Sequence, residues 1–158
     1  ELIGFGIISD AHHMTAPPED GAGAELAMRS ALDSAGIEPS DVTYINAHGT
    51  GTQLNDAAEA SAIFRVFGNT LVMSCKGYVG HTLGGAGGIE AVATVMSLVS
   101  RRGYANRGAS IAAKDCPVAL IGEGGIELDD GAIVLSTSFA FGGNNCALVL
   151  RAAQGGTV

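Results

Sequence analysis

The chain has 158 residues, enough for one domain with a buried core, and carries a formal net charge of -8. That acidic balance excludes a binder of nucleic acid or anionic membrane built on a basic surface. With 47% apolar residues the composition also excludes a disordered chain, so its 24 glycines, clustered without a period, mark tight turns and close backbone approaches.

Leu2 to Ile8 reads as a strand. Its Gly4-x-Gly6 fragment lacks the third glycine that would open a helix, which rules out a dinucleotide turn. Asp10 to Pro18 is then a loop ended by two prolines. His12 and His13 are adjacent within it, and neighbouring side chains on an extended segment point opposite ways, so the pair is a poor metal clip. Ala24 to Ala35 follows as an amphipathic helix with Leu26, Ala27, Ala31, Leu32 and Ala35 near one face and Gly36 as its stop. So small a face predicts close packing on a sheet.

Val42 to Ile45 is a buried strand that delivers Asn46-Ala47-His48-Gly49-Thr50-Gly51-Thr52. Thr50 and Thr52 alternate along an extended turn and share a side. Asp56 and Glu59 have the spacing of a capping box, with Asn55 as a competing cap, for a helix that runs to about Phe67 and stops at Gly68. This structural role suffices for both carboxylates. Leu71 to Met73 is a short strand, and Lys76 lies just beyond it. An ammonium in so apolar a neighbourhood needs a counter-charge, and Glu90 is the natural partner.

Gly84 to Gly88 lacks the Gly-Lys-Ser/Thr of a phosphate loop. The helix after it, Ala86 to Val99, carries Ile89, Val92, Ala93, Met96 and Val99, and so broad an apolar surface predicts burial between layers. Gly103 to Gly131 reads as a long connection with one short apolar run, Val118 to Ile121. Strands at Ala132 to Thr137 and Ala147 to Leu150 close the chain around a Ser138 to Cys146 loop, placed for a functional tip. Arg101, Arg102 and Arg107 read as a solvated helix end favoured by the dipole. Cys75, Cys116 and Cys146 have neither metal nor disulfide spacing, which leads us to expect a reducing, cytoplasmic setting. No stretch reaches the roughly 18 apolar residues of a membrane span, and no signal peptide is visible.

Both His48 and His81 follow a strand-like run and precede a helical pattern, the place where open α/β sheets carry their chemistry. Two imidazoles, a lysine and glycine-lined backbone at one crevice suit a reaction that builds negative charge on a carbonyl oxygen. Either histidine alone reads as a satisfied loop residue. The two motifs together, with Lys76 five residues before His81, favour a site.

These residues resemble a known family. His48-Gly49-Thr50-x-Thr52 with Asp56 and Glu59, then Lys76-x-x-x-Gly80-His81-x-x-Gly84-x-Ala86-Gly87, is similar to the C-terminal half of the β-ketoacyl-acyl carrier protein synthases. Ser138-Phe139-Ala140-Phe141-Gly142-Gly143-Asn144-Asn145 resembles the closing motif of these enzymes and Asp10 to Pro17 their opening loop, so the resemblance covers nearly the whole chain. It implies a thiolase-like layered α/β unit with a mixed five-stranded sheet flanked by helices, residues 1–158 forming the C-terminal domain. An N-terminal half carrying the nucleophilic cysteine would pair with it, and the complete protein would be a homodimer.

The implied activity is acyl transfer: decarboxylative Claisen condensation of an acyl thioester with malonyl-acyl carrier protein, in fatty acid or polyketide synthesis, without metal or organic cofactor. The isolated half would be inactive. On this resemblance His48 and His81 polarise the malonyl thioester carbonyl, and Lys76, held by Glu90, tunes His81 and its surroundings. Thr50 and Thr52 bind the pantetheine amides, while His13 and Thr15 line the pantetheine channel. Phe141, beside Gly142, gates the acyl channel and lends its N–H to the thioester oxygen. Ala140 stands where the family pattern has glycine. A second reading is a non-catalytic partner subunit of the chain-length-factor kind, although such a partner has no physical need for both histidines and the lysine. Thiolase chemistry, which orders its cysteine and histidine motifs differently, and a metal hydrolase are the remaining alternatives.

Overall fold

The structure is a computed structural model that describes residues 1–109 and 111–153. In chain order the elements are β1 (Leu2–Ser9), α1 (Ala22–Ala35), β2 (Val42–Asn46), α2 (Gln53–Phe67), β3 (Leu71–Met73), the one-turn α3 (Lys76–Val79), α4 (Ala86–Ser100), β4 (Arg102–Gly103), β5 (Ala119–Leu120), β6 (Ile126–Glu127), β7 (Ile133–Ala140) and β8 (Asn144–Arg151). The main sheet has the order β1-β8-β7-β2-β3-β5. β2 pairs parallel with β3 and β7, and β3 with β5, whereas β8 runs antiparallel to β7 and β1. The mixed sheet flanked by helices is the architecture expected. It gains a sixth, edge strand, β5, from the Val118 to Ile121 run, where only two residues pair and the pattern is too short to announce a strand. β4 and β6 form a separate two-stranded annex.

The two faces of the sheet are covered by opposite means. On one side α1 lies on β1 and β8, with Ala27, Met28 and Ala31 fully buried. A Cβ on Gly6 would fall 2.1 Å from the Ala27 carbonyl oxygen, and one on Gly4 2.6 Å from that of Ala31. The glycines of the Gly-x-Gly fragment therefore serve the close helix-to-strand approach that the alanine-rich face foretold. α2 completes this layer through Ala62, Ile63 and Val66 packed with Ile45 and Leu135. On the other side α4 shares a second cluster, Tyr44, Met73, Leu98, Val134 and Leu150, with the sheet.

α4 corrects two expectations. Its apolar residues are not buried between layers: Val92 is 59% exposed, Met96 58% and Val99 64%, and Ile89 is also exposed. The side turned to the sheet holds Glu90, Thr94 and Ser97 beside Ala86 and Leu98. A helix apolar over most of its circumference has no direction set by hydrophobicity, and β2 offers it the hydroxyl of Tyr44 and the amide of Asn46, so hydrogen bonding chooses the buried stripe. Contrary to the sequence reading, Leu83–Ser100 is also long and apolar enough to cross a bilayer by length and composition, with a mean hydropathy of 1.4 over 18 residues. In this fold that stretch is tied to β2 by hydrogen bonds from Tyr44 and Asn46 to Ser97, Thr94 and the Glu90 carbonyl, and to α3 by the ion pair of Glu90 with Lys76.

The three arginines after α4 do not form a cluster. Arg101 caps the helix in the left-handed region and pairs with Asp130, Arg102 donates to the Gly124 carbonyl, and Arg107 lies over the Tyr78 ring. The expected nine-residue closing loop shrinks to Phe141, Gly142 and Gly143, because β7 and β8 extend further than their apolar cores. Gly142 and Gly143 turn the hairpin at φ 81° and 76°, a conformation that glycine adopts without cost.

Gly6→Ala should lower stability by about 1–3 kcal/mol, since the added methyl must push α1 off β1. A fall in melting temperature, with no such fall for Gly124→Ala, where a Cβ meets open space, checks it.

Candidate active site

His48 is placed by a buried carboxylate. After Asn46 the chain leaves β2, and the His48 N–H is shared between Glu59 Oε1 at 2.9 Å and Thr137 Oγ1 at 3.0 Å. The Gly49 N–H donates to Glu59 Oε2 at 2.8 Å, and the Thr137 hydroxyl donates to Glu59 Oε1 at 2.7 Å. The expected capping box therefore does not form. α2 starts earlier, with Thr52 as its first flanking residue, and Asp56 accepts the Gly51 N–H at 3.2 Å. Glu59 sits too far into the helix to meet its end, so its carboxylate takes the orphan N–H groups of the neighbouring loop. One signal in the sequence points to this role: Glu59 shares a helix face with Ala62, Ile63 and Val66, all buried, and a carboxylate there must have partners.

Below His48 lies Lys76, at the start of α3. Its ammonium donates to Glu90 Oε1 and to the His48 carbonyl, and stands 3.1 Å from His48 Nδ1. Glu90 Oε1 is 3.7 Å from the same Nδ1, beyond hydrogen-bond reach, so Nδ1 accepts from the lysine and the ring proton rests on Nε2. Burial would raise the Glu90 carboxyl, but the polar and charged contacts around it, with the Lys76 ammonium nearest, outweigh that and hold it below the usual carboxylate range. The pairing of Lys76 with Glu90 drawn from the sequence is present.

His81 follows Gly80, whose φ of 73° turns the chain out of α3. Its ring meets that of His48 edge to face, centroids 5.3 Å apart at 88°. Its Nδ1 accepts the Leu83 N–H at 3.3 Å, which places its proton on Nε2 as well. Desolvation, then the Lys76 charge and the neighbouring His48, push His81 below the ordinary imidazole value. With Nδ1 of each ring engaged, Nε2 is the nitrogen each can present as a donor.

A cavity of about 520 Å³ opens above them, lined by His48, His81, Thr50, Thr52, His13, Thr15 and Phe141. The Thr50 and Thr52 hydroxyls are 2.8 Å apart, on one side as expected. His13 Nδ1 accepts the N–H groups of Thr15 and Ala16 at 3.1 and 3.2 Å, leaving Nε2 to face outward from that turn. Gly142 does not line the cavity. Its N–H donates to the Met14 carbonyl at 2.8 Å and ties the closing hairpin to the opening loop, a tie repeated by Asn145 Nδ2 on Asp10 Oδ2 at 3.0 Å. A larger hollow of about 770 Å³ lies behind the His48 loop, between α2 and the connection that carries Cys116, and contains no histidine. Neither Cys75, Cys116 nor Cys146 lines the imidazole cavity. Burial pushes all three thiols above the ordinary cysteine value, the opposite of what an activated nucleophile needs.

Lys76→Met should destabilise the fold by about 3–5 kcal/mol by stranding the Glu90 charge, and Glu90→Leu should do the same to the ammonium, whereas the double replacement should cost less than either alone. Denaturant titration of the three variants measures this. Because the Glu90 carboxyl is lowered on folding, its contribution is complete above the ordinary value of 4.5 and is lost as pH falls through the lower folded value. The double variant should therefore lose less stability on acidification than the parent.

The family model of the β-ketoacyl synthase C-terminal domain matches residues 1–105. A 3-oxoacyl-[acyl-carrier-protein] synthase 2 of Staphylococcus aureus (strain COL) is 39% identical over 155 residues, 96% of this chain and 37% of its own length. A chain from the ketosynthase ApeO in complex with its chain length factor ApeC, from Xenorhabdus doucetiae, superposes with a TM-score of 0.85 at 44% identity, over 96% of this chain and 39% of that one. A chain from AntDE:AntF, a type II polyketide acyl carrier protein in complex with its ketosynthase, gives a TM-score of 0.89 at 32% identity, over 97% of this chain and 38% of that one. The chain thus spans less than two fifths of each of these relatives, whose thiolase-like ketosynthase architecture it shares. Motif order, fold and matched residues agree: this chain belongs to the β-ketoacyl synthase C-terminal domain family.

Proposed function

We propose that this chain is the C-terminal half of a 3-oxoacyl-acyl carrier protein synthase in which His48 and His81 drive decarboxylation of a malonyl thioester. The observation that carries this reading is the edge-to-face pair of imidazoles, ring centroids 5.3 Å apart, lining one cavity above a buried lysine. In that reaction the bond from the malonyl α-carbon to its carboxylate breaks and carbon dioxide leaves. The electron pair passes to the thioester oxygen as an enolate, and both donors meet the charge where it forms. The enolate carbon then attacks an acyl-cysteine thioester, a carbon–carbon bond forms and the cysteine thiolate departs.

No cysteine of this chain suits the last step, so the nucleophile would come from an N-terminal half. The 520 Å³ cavity would receive the malonyl end of a pantetheine arm past Thr50, Thr52, His13 and Thr15, with Phe141 at its rim. The partner fitting this role is an acyl carrier protein, which the AntDE:AntF assembly supports by similarity. A homodimeric, cytoplasmic complete protein belongs to the same proposal. Likeness to an assembly containing a chain length factor keeps a non-catalytic partner as the second reading. Against it stands the maintained Lys76–Glu90 pair beneath two oriented imidazoles.

In the full-length protein that carries this chain, His48→Ala and His81→Ala should each reduce malonyl decarboxylation on the order of a hundredfold to a thousandfold. If both variants decarboxylate at the parental rate, these roles are wrong, and an inactive parent supports the partner role. Protonating His81 Nδ1 removes the acceptor of the Leu83 N–H and frees the ring to turn. The acid limb of the rate profile should therefore lie below the ordinary imidazole value of 6.5, and a limb above it would contradict the assignment.

A further inference from the structure

The contact between α4 and the central strand is polar, although α4 carries an apolar stripe that could have been buried in its place. Glu90, Thr94 and Ser97 are each no more than 1% exposed, as are Tyr44 and Asn46 on the facing side of β2. They form two rungs. Tyr44 Oη donates to Ser97 Oγ at 2.6 Å, and Ser97 Oγ donates to the Arg102 carbonyl at 2.7 Å. Nearer the site, Asn46 Nδ2 donates to Thr94 Oγ1 at 3.0 Å and to the Glu90 carbonyl at 3.1 Å, while Thr94 Oγ1 donates to that carbonyl at 2.9 Å.

Hydrophobic burial alone would turn Val92, Met96 and Val99 inward. A helix advances about 100° per residue, so a rotation of that size would carry the Glu90 carboxylate away from Lys76. The rung at Thr94 opposes that rotation. It joins the last residue of β2, two before His48, to the residue that pairs with Lys76. We infer that Thr94, with Asn46, is a positioning residue: it fixes the rotation and height of α4 so that Glu90 holds the Lys76 ammonium under His48 Nδ1. Only the kinetic part of its test rests on the function proposed above.

The test uses the full-length protein labelled with ¹⁵N-histidine, and compares Thr94→Val, which keeps the shape and loses the hydroxyl, with Thr94→Ser and Ser97→Ala. In the parent, His48 should give one protonated and one bare ring nitrogen. Thr94→Val should collapse that split toward an averaged pair and lower kcat for malonyl decarboxylation by up to about a hundredfold, with KM little changed. Thr94→Ser should restore both readouts. Ser97→Ala should lower the melting temperature and leave the His48 signals as they are. Retention of the parental ¹⁵N pattern in Thr94→Val overturns the inference, whatever happens to stability, and Thr94→Ala serves in the same way if the valine variant does not fold. Since the spectra need no turnover, an inactive parent in which the split is present and collapses in Thr94→Val refutes the functional reading alone.

Discussion

The arrangement depends on an ammonium and a carboxylate removed from water together. Lys76 and Glu90 come from different helices, and neither could be buried alone without a cost of several kcal/mol. Their meeting therefore fixes α3 relative to α4, and with them the stems of both histidines. The same ammonium donates to the carbonyl and the ring of His48, so a single charge settles a backbone position, a ring tautomer and a local potential. Glu59 performs the complementary task from the other side of the loop, taking its amides. His48 is thus gripped at its backbone by a carboxylate above and at its ring by a lysine below.

The sheet mediates between these two grips. On the α1 and α2 side, specificity comes from shape: glycines on β1 admit alanines on α1, and larger side chains would hold the layers apart. On the α4 side it comes from directional bonds between β2 and the helix. Packing by shape tolerates few changes of volume but no particular rotation, whereas a hydrogen-bonded seam specifies rotation outright. The side beneath the two histidines uses the second device, where a small turn of the helix would move Glu90 from Lys76.

Much of this was legible in the sequence, for physical reasons that differ by element. The strands β2 and β3 and the helix stops at Gly36 and Gly68 were marked by local chemistry, and the pairing of Lys76 with Glu90 followed from the cost of an isolated charge. The convergence of His13, Thr15, Thr50, Thr52, His48, His81 and Phe141 followed from motif resemblance, because segments so distant along the chain share no local pattern. The orientation of α4 was not legible, since a helix apolar nearly all round has no preferred face until its partner strand is known. Glu59 was misread because the same spacing serves a cap at the start of a helix and a clamp one turn further in. Gly142 enters the reading only as the neighbour that supports Phe141, and its N–H is spent on Met14. Edge strand β5, two residues long, lies below what alternation can signal.

The tie between the Asp10 to Met14 loop and the Phe141 to Asn145 hairpin has a consequence for how the molecule comes into being. Asp10 and Asn145 are 135 positions apart, and contacts of such separation form late because loop closure must precede them. During synthesis the imidazole-bearing loops leave the ribosome well before the hairpin that rims their cavity. The cavity is therefore without its rim until β7 and β8 have joined the sheet, however early the two imidazole-bearing loops are made.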